Sequence, residues 1–151
     1  MIANEIRETI KDELGLTVSI GASFNKVLAK LGSDMKKPDA VTVLPPDSWK
    51  ERVWRLPASD LLYVGTATMK KLMGRAIYTI GDLANYPVDG LQSMFGKNGI
   101  MLWRYANGMD TSSVMPKNYE PGVKSVSRGI TCSSNLENND DVWKVMLALS
   151  Q

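Results

Sequence analysis

The sequence predicts a mostly helical α+β fold made of three parts. These parts are an α/β unit over residues 1–44, an all-helical region over 45–116 and an incomplete strand–helix piece over 125–151, with a linker at 117–124. Helix and strand patterns alternate twice before Pro45-Pro46, a pair that is typical of a boundary. Only helical patterns follow, and a polar, proline-containing stretch then separates them from the last part.

The α/β unit is predicted from the periodicity of its apolar residues. An isoleucine or leucine recurs every four positions from Ile2 to Leu14, which is one face of a helix, and Gly15 follows as a C-terminal stop. Alternating and β-branched residues favour strands after each helix. The predicted elements are a helix over 2–14, a strand over 16–21, a helix from Lys26 to about Met35 capped by Asn25 or Ser23, and a strand over 40–44.

The region 45–116 is predicted to be a series of short helices. Thr79 and Asp82 have the spacing of a capping box, so one helix begins near Ile80. Two helix–turn–helix pairs, around Gly65 and around 96–99, are similar to one another. The predicted helices cover 49–56, 58–63, 68–75, 80 to before Pro87, 91–95 and 100–107.

The last part is predicted to be a strand over 125–133 and a helix over 142–149. Residues 138–141 are rich in Asn and Asp, which favours a cap for that helix over a metal site. A lone strand and helix cannot bury both faces of a sheet. We therefore expect both ends of the chain to belong to larger structural elements.

Composition excludes several chemistries. The 151 residues are 44% hydrophobic and 23% charged, as in ordinary globular proteins, and they contain neither a membrane-length apolar run nor a basic-then-apolar leader. Cys132 is the only cysteine, so no internal disulfide forms and a reducing, cytoplasmic location is expected. The chain has no histidine, which excludes Ser-His-Asp, Cys-His and His–zinc sites. The net charge of +2 does not by itself indicate nucleic acid.

A lysine cluster is the first candidate binding site. Lys26 and Lys30 are four residues apart on one helix face, and Lys37 follows at the end of that helix. Several ammonium groups with only Asp34 to offset them favour a phosphate site. The alternative is a solvated helix face with a local Lys30–Asp34 pair.

The turn before the 68–75 helix is the second candidate. Gly65 brings bare backbone near a ligand, and the free amides of the following helix suit a phosphate oxygen. The alternative is an ordinary helix hairpin with a glycine stop. The candidate phosphate contacts are Gly65, Thr66, Ala67, Thr68, Lys70 and Lys71, and Arg128, beside Gly129, is a further one. Such contacts carry no base-sequence information.

Several stretches resemble the Y-family translesion DNA polymerases, the DNA polymerase IV and UmuC-like group. The longest is Ser19 to Pro38, which reads SIGASFNKVLAKLGSDMKKP and is similar to the late palm motif of that family. Leu56-Pro57, Val64-Gly65 and 77–83 resemble its thumb. Residues 108–110 and 124–128 resemble the end of the thumb and the entry to the little finger. The resemblance covers nearly the whole chain in the order of the family.

The resemblance implies a role for each part. Residues 1–44 would be the C-terminal part of the palm, 45–116 a helix-hairpin-helix thumb that grips duplex DNA, 117–124 the linker and 125–151 the start of the little finger. Lys37, with Lys30 or Lys26 nearby, would hold the triphosphate of the incoming nucleotide. Gly65, Ala67 and Thr68 would contact DNA, supported by Lys71.

The resemblance also implies a fragment. The family's catalytic carboxylates lie upstream of this stretch, so the full-length protein would be an error-prone translesion DNA polymerase using Mg²⁺, and this piece alone would be inactive. The implied partners are primer–template DNA, a deoxynucleoside triphosphate and a sliding clamp reached through the missing C-terminal region, with no membrane. Tyr63 stands where the family has glycine, and Thr66 where it has lysine or asparagine.

Two alternatives to this function stay open. The chain could be a stand-alone helix-hairpin-helix module that binds DNA without sequence preference or catalysis. It could instead be a protein-interaction piece whose basic clusters are ordinary surface and whose apolar ends associate.

Overall fold

The computed structural model describes residues 2–150 and divides them into two compact units, one up to Ser113 and one from Val114, which are described separately. The division falls a few residues before the predicted linker at 117–124. The further boundary predicted between residues 44 and 45 lies inside the first unit and stays a prediction. Among the described residues, no helix has both the length and the apolar character needed to cross a membrane.

The first unit begins with two helices and two short parallel strands. The elements are α1 Ile2–Leu14, β1 Ile20–Ser23, α2 Lys26–Met35 and β2 Val41–Leu44. The strands are parallel, with Ile20 opposite Val41. The strand predicted over 16–21 is wrong in its position, because only residues from Ile20 onward pair with β2. A Cβ on Gly21 would lie 1.9 Å from the carbonyl oxygen of Ala29, so this glycine lets α2 lie close against β1.

Short helices make up the rest of the first unit. They are α3 Trp49–Val53, a 3-10 turn at Ala58–Asp60, α4 Thr66–Met73, α5 Ile80–Asn85, α6 Val88–Phe95 and α7 Lys97–Ala106. The predicted helices over 49–56 and 58–63 are too long, because the chain turns at Trp54 and again after Asp60. Three others begin earlier than predicted, at residues 66, 88 and 97 rather than 68, 91 and 100.

One hydrophobic core joins these elements. It includes side chains from α2 and β2 as well as from the helices that follow. The largest fully buried side chains are Leu28, Leu44, Val53, Leu61, Leu72, Ile77, Ile80, Leu83, Leu91 and Leu102. Because both halves of the unit contribute to one core, their relative position is fixed by packing as well as by the chain.

The second unit contains one helix, α8 Asn139–Ser150. The Asn138 side chain accepts a hydrogen bond from the Asp141 amide at 2.9 Å, which confirms the predicted cap. The strand predicted over 125–133 is wrong, since the structure assigns no strand between residues 114 and 150. A strand needs a hydrogen-bonded neighbour, and this part of the chain supplies none.

Candidate nucleic-acid interface

Two of the three candidate lysines lie together. Lys37 Nζ is 2.7 Å from one oxygen of Asp34, and Lys30 Nζ bonds the other oxygen of the same carboxylate. Both lysines line a shallow depression of about 390 Å³ that also includes the backbone around Ser19. The two bonded ammonium groups hold the pKa of Asp34 below its usual range, with Lys30 contributing most. The depression therefore carries two lysines that share the Asp34 carboxylate, with Asp39 as a second acidic residue in its lining.

Lys26 lies apart from this pair. Its ammonium group donates a hydrogen bond to the carbonyl of Ser113, and it does not line the depression. The i, i+4 spacing with Lys30 puts both lysines on α2, but their long side chains diverge. The lysine cluster predicted from the sequence is thus a pair, Lys30 and Lys37, with Lys26 serving a different contact.

Sequence reasoning missed two further cations at this depression. Asp39 lies on its rim and accepts hydrogen bonds from Arg7 Nη1 at 2.5 Å and from Lys11 Nζ at 2.6 Å. These bonds lower the pKa of Asp39, with Lys11 the larger cause and Arg7 the next. Arg7 and Lys11 are four residues apart on α1, a spacing that predicts a shared helix face. Their contact with Asp39 spans about thirty residues of sequence, and the spacing does not predict it.

The hairpin before α4 presents free backbone amides. Gly65 is the residue before α4, its backbone is extended, and open space lies where its side chain would be. The first bond back to it is from Met69 N to Gly65 O at 2.9 Å, so the amides of Thr66, Ala67 and Thr68 have no partner within the helix. Gly65, Thr66 and Ala67 are exposed, as are Lys70 and Lys71. Gly65, Thr66 and Lys70 line one depression of about 550 Å³ at the positive end of α4, whereas Thr68 and Lys71 line a different groove.

Tyr63 has an unusual backbone in this hairpin. Its φ is +70°, in the left-handed region that favours glycine, and its side chain is 65% exposed. The ring stacks on Tyr105 with centroids 6.3 Å apart. Burial and the nearby Asp110 raise the pKa of Tyr105. The stacking offsets part of the cost of a non-glycine residue at that φ, about 1–2 kcal/mol.

A groove of about 690 Å³ separates this hairpin from the second one. Its walls include Thr68 and Lys71 on one side and Asn98 and Tyr105 on the other. The Lys71 ammonium group lies 5.9 Å from the centre of the Phe95 ring. The groove thus combines apolar rings with a cation at its edge.

The second hairpin also has a glycine directly before a helix, but its backbone differs, since Gly65 is extended and Gly96 has a positive φ. Gly96, with φ +59°, joins α6 directly to α7, and Lys97 and Asn98 are exposed in the first turn of α7. Gly99 is buried against α6, where a Cβ would lie 2.1 Å from the carbonyl oxygen of Leu91. Both hairpins belong to the first unit.

Arg128 lies in the second unit, apart from the unit that contains the hairpins in the division of the chain. It is exposed and borders a small depression of about 320 Å³ that includes Cys132 and Val145. Its role as a phosphate contact stays a prediction.

The described residues do not form a metal site. Within residues 2–150, no three acidic or cysteine side chains come together in a way that could hold a metal ion. The Mg²⁺ implied by the resemblance therefore does not fit the described side chains.

Two protein-family models match the chain. Residues 1–34 match the impB/mucB/samB family, and residues 59–110 match a family described as the DNA polymerase-iota thumb domain. The second match includes both hairpins.

Curated relatives match almost the full length of the chain. It is 54% identical over 150 residues to a DNA polymerase IV of Acetivibrio thermocellus and 38% identical over 149 residues to one of Clostridium acetobutylicum. These alignments cover 99% of the chain but only 38% and 37% of the relatives. The chain thus spans less than two fifths of the length of these two relatives.

Solved structures share the fold at lower sequence identity. DinB from Sulfolobus solfataricus has a TM-score of 0.67 at 24% identity, covering 75% of this chain and 33% of its own. A Y-family DNA polymerase chimera of Dbh and Dpo4 has a TM-score of 0.68 at 24% identity, covering 78% and 35%. The sequence matches and the fold match agree on one family from the first helix through the second hairpin, and the chain accordingly belongs to the Y-family DNA polymerases, of which it is a fragment.

Proposed function

We propose that this chain is the part of a translesion DNA polymerase that grips duplex DNA and holds part of the incoming nucleotide's triphosphate. The observation that carries the proposal is the hairpin before α4, where the first three amides of the helix have no partner within it and the exposed Lys70 lines the same depression as Gly65 and Thr66. The curated relatives named DNA polymerase IV support the same function.

The hairpin is suited to a DNA backbone rather than to base edges. Amides at a helix N-terminus donate hydrogen bonds to phosphate oxygens, and Lys70 and Lys71 add counter-charge within two turns. Backbone contacts fix the position of a duplex without reading its sequence. That property suits a polymerase that must hold any primer–template.

The pair Lys30 and Lys37 is suited to the triphosphate of a deoxynucleotide. Both ammonium groups face one depression, and Asp34 keeps them close together in the absence of an anion. A triphosphate would replace the carboxylate as the partner of both. Lys26 is not assigned this role, because its ammonium group is bonded at Ser113.

The catalytic step would belong to the full-length protein. We assign to its other parts the carboxylates that hold Mg²⁺, the error-prone copying of damaged DNA during repair, and contact with a sliding clamp. In that protein, located in the cytoplasm, this segment would supply binding and orientation. Orientation contributes to catalysis because a bound nucleotide must lie in line with the primer end.

Titration of the 151-residue chain with a short duplex tests the grip. We expect a dissociation constant in the non-specific range, about 10⁻⁴–10⁻⁶ M, that weakens steeply with salt. Replacing Lys70 and Lys71 with Ala should reduce the slope of log K against log salt by about 1 for each lysine that contacts phosphate. Replacing Lys117 and Lys124, in the second unit, with Ala is the matched control. Equal slopes for the two double variants, or no binding at low salt, would contradict the proposal.

A further inference from the structure

Asn25 uses both ends of its side-chain amide. Its Oδ1 accepts a hydrogen bond from the Leu28 amide at 2.9 Å, which caps α2. Its Nδ2 donates to the carbonyl of Gly108 at 2.9 Å, and that residue is 83 positions away. One side chain therefore joins the start of α2 to the end of α7.

The Gly108 carbonyl is held in a fixed place. Gly108 has φ +69°, and a Cβ there would lie 2.7 Å from the indole of Trp49. The Gly108 amide donates to Tyr105 O at 3.0 Å, which continues the turn from α7. Trp49 in turn packs edge-on against Phe24, the neighbour of Asn25, with centroids 6.1 Å apart.

A second contact lies beside the first. The Lys26 ammonium group donates to the Ser113 carbonyl, so the cap and the first residue of α2 both hold the segment after α7. We name this set of contacts the latch and define it by Asn25, Lys26, Trp49, Gly108 and Ser113. On one side of the latch, α2 bears Lys30; on the other, α7 forms the wall of the groove that faces Thr68 and Lys71 of the first hairpin.

We propose that Asn25 is a positioning residue, which holds the phosphate-binding helix α2 at a fixed geometry relative to the duplex-binding helical region through its bond to the Gly108 carbonyl. The inference rests on the proposed function for what the two surfaces bind. The binding of one ligand then favours the orientation that the other needs. Duplex DNA and nucleotide are coupled through the latch.

Helix capping alone does not explain this side chain. Serine, threonine and aspartate cap a helix as well as asparagine does. An amide accepts for the cap and donates to a distant carbonyl through two separate atoms, whereas a serine or threonine hydroxyl has one oxygen for both bonds and an ionised aspartate has no donor. The two roles are therefore separable by substitution.

Asn25→Asp separates them, because the carboxylate still caps α2 but cannot donate to Gly108 O. In the full-length polymerase that contains this chain, the affinity for a deoxynucleoside triphosphate is measured with and without primer–template duplex. We expect the ratio of the affinity with duplex to the affinity without it to be about fivefold or more lower in Asn25→Asp than in wild type. Fivefold is the lower end of typical couplings between two sites. Each ligand alone should bind within about twofold of wild type, since no contact residue is altered.

Asn85→Asp is the matched control. Asn85 Nδ2 donates to Gly81 O at 2.8 Å within a single helix, so the same change in charge and donor removes a local bond only. This variant should keep the wild-type ratio. A wild-type ratio of one, or equal ratios for wild type and Asn25→Asp, would overturn the proposal.

Hydrogen exchange separates failure of the latch from failure of the proposed function. The amides of Gly108 and Met109 are bonded to the end of α7. With no ligand present, these amides should exchange several-fold faster in Asn25→Asp than in wild type, and at the wild-type rate in Asn85→Asp. Faster exchange with no ligand binding in wild type would refute the proposed function and with it the positioning role. Unchanged exchange would refute the latch even where wild type binds both ligands.

Discussion

Asp34 forms ion pairs with both candidate phosphate-binding lysines, Lys30 and Lys37, and so competes with phosphate for them. Its lowered pKa comes first from the Lys30 bond and then from the Lys37 bond. Because the folded-state pKa lies below the ordinary 3.8, the pairing contributes stability above that pH and loses it as the pH falls through the lowered value. At neutral pH the carboxylate therefore competes fully with any incoming phosphate.

Asp34→Asn is expected to tighten binding of a nucleoside triphosphate at pH 7. Exposed ion pairs are worth about 0.2–1 kcal/mol, so releasing the lysines should lower the dissociation constant by a factor of about 1.4 to 5. Isothermal titration of the full-length protein measures this. Adding Lys37→Ala should reverse the gain, whereas adding Lys36→Ala, an exposed neighbour outside the depression, should not. Unchanged or weaker binding in Asp34→Asn would show that no phosphate approaches these lysines.

Among single residues, the sequence predicts contacts between side chains one helical turn apart, but it does not predict contacts between residues far apart in the sequence. The pairing of Lys30 with Asp34 follows from their spacing. The bond of Lys26 to Ser113 and the bonds of Arg7 and Lys11 to Asp39 depend on packing between distant segments. No pattern in a single sequence measures such distances.

Among the elements, the starts of α2 and α5 are predicted correctly from their capping side chains, whereas α8 begins at Asn139, three residues before the predicted 142. Asn25, Thr79 and Asn138 each accept a hydrogen bond from a backbone amide of the first turn, as predicted. The starts of α4 and α7 were placed too late because glycine precedes them and their first residues are exposed and polar. Apolar periodicity begins only where a helix meets the core.

The capping box of α5 is expected to stabilise the first unit in a pH-dependent way. Thr79 Oγ1 accepts from Asp82 N at 3.0 Å, and Asp82 accepts from the amides of Thr79 and Tyr78, which lower its pKa in that order. Thr79→Ala should lower the free energy of unfolding by about 1 kcal/mol at pH 7, measured by urea denaturation. The contribution of Asp82 is present above pH 3.8 and is lost as the pH falls through its lower folded value.

In Asp82→Asn, the free energy of unfolding should therefore decrease less than in wild type as the pH is lowered from about 5. Asp89→Asn, in the first turn of α6, is the control because no comparable reciprocal bonds hold that side chain. An identical acid profile for wild type and Asp82→Asn would remove the capping box as a source of the pH dependence.

For the whole molecule, the two units differ in how much they bury. The first unit has a continuous core, whereas no side chain between residues 114 and 150 is buried. Trp143 and Val126 are examples, 67% and 90% exposed. Sequence patterns predicted a strand over 125–133 because its residues favour one, but burial depends on partners that this part of the chain does not contain.

Limited digestion of the 151-residue chain with trypsin is expected to cut first at Lys117, Lys124 and Arg128. Cleavage requires local opening, and its free-energy cost is lowest where few side chains pack. Mass spectrometry over time should show a persistent product that ends near Lys117 and keeps its helical circular dichroism. Lys50 and Arg52 provide the internal comparison, since they are equally exposed but lie on α3 above buried Trp49 and Val53. Cutting at these two sites before the linker would mean that the core of the first unit opens more readily than its contacts indicate.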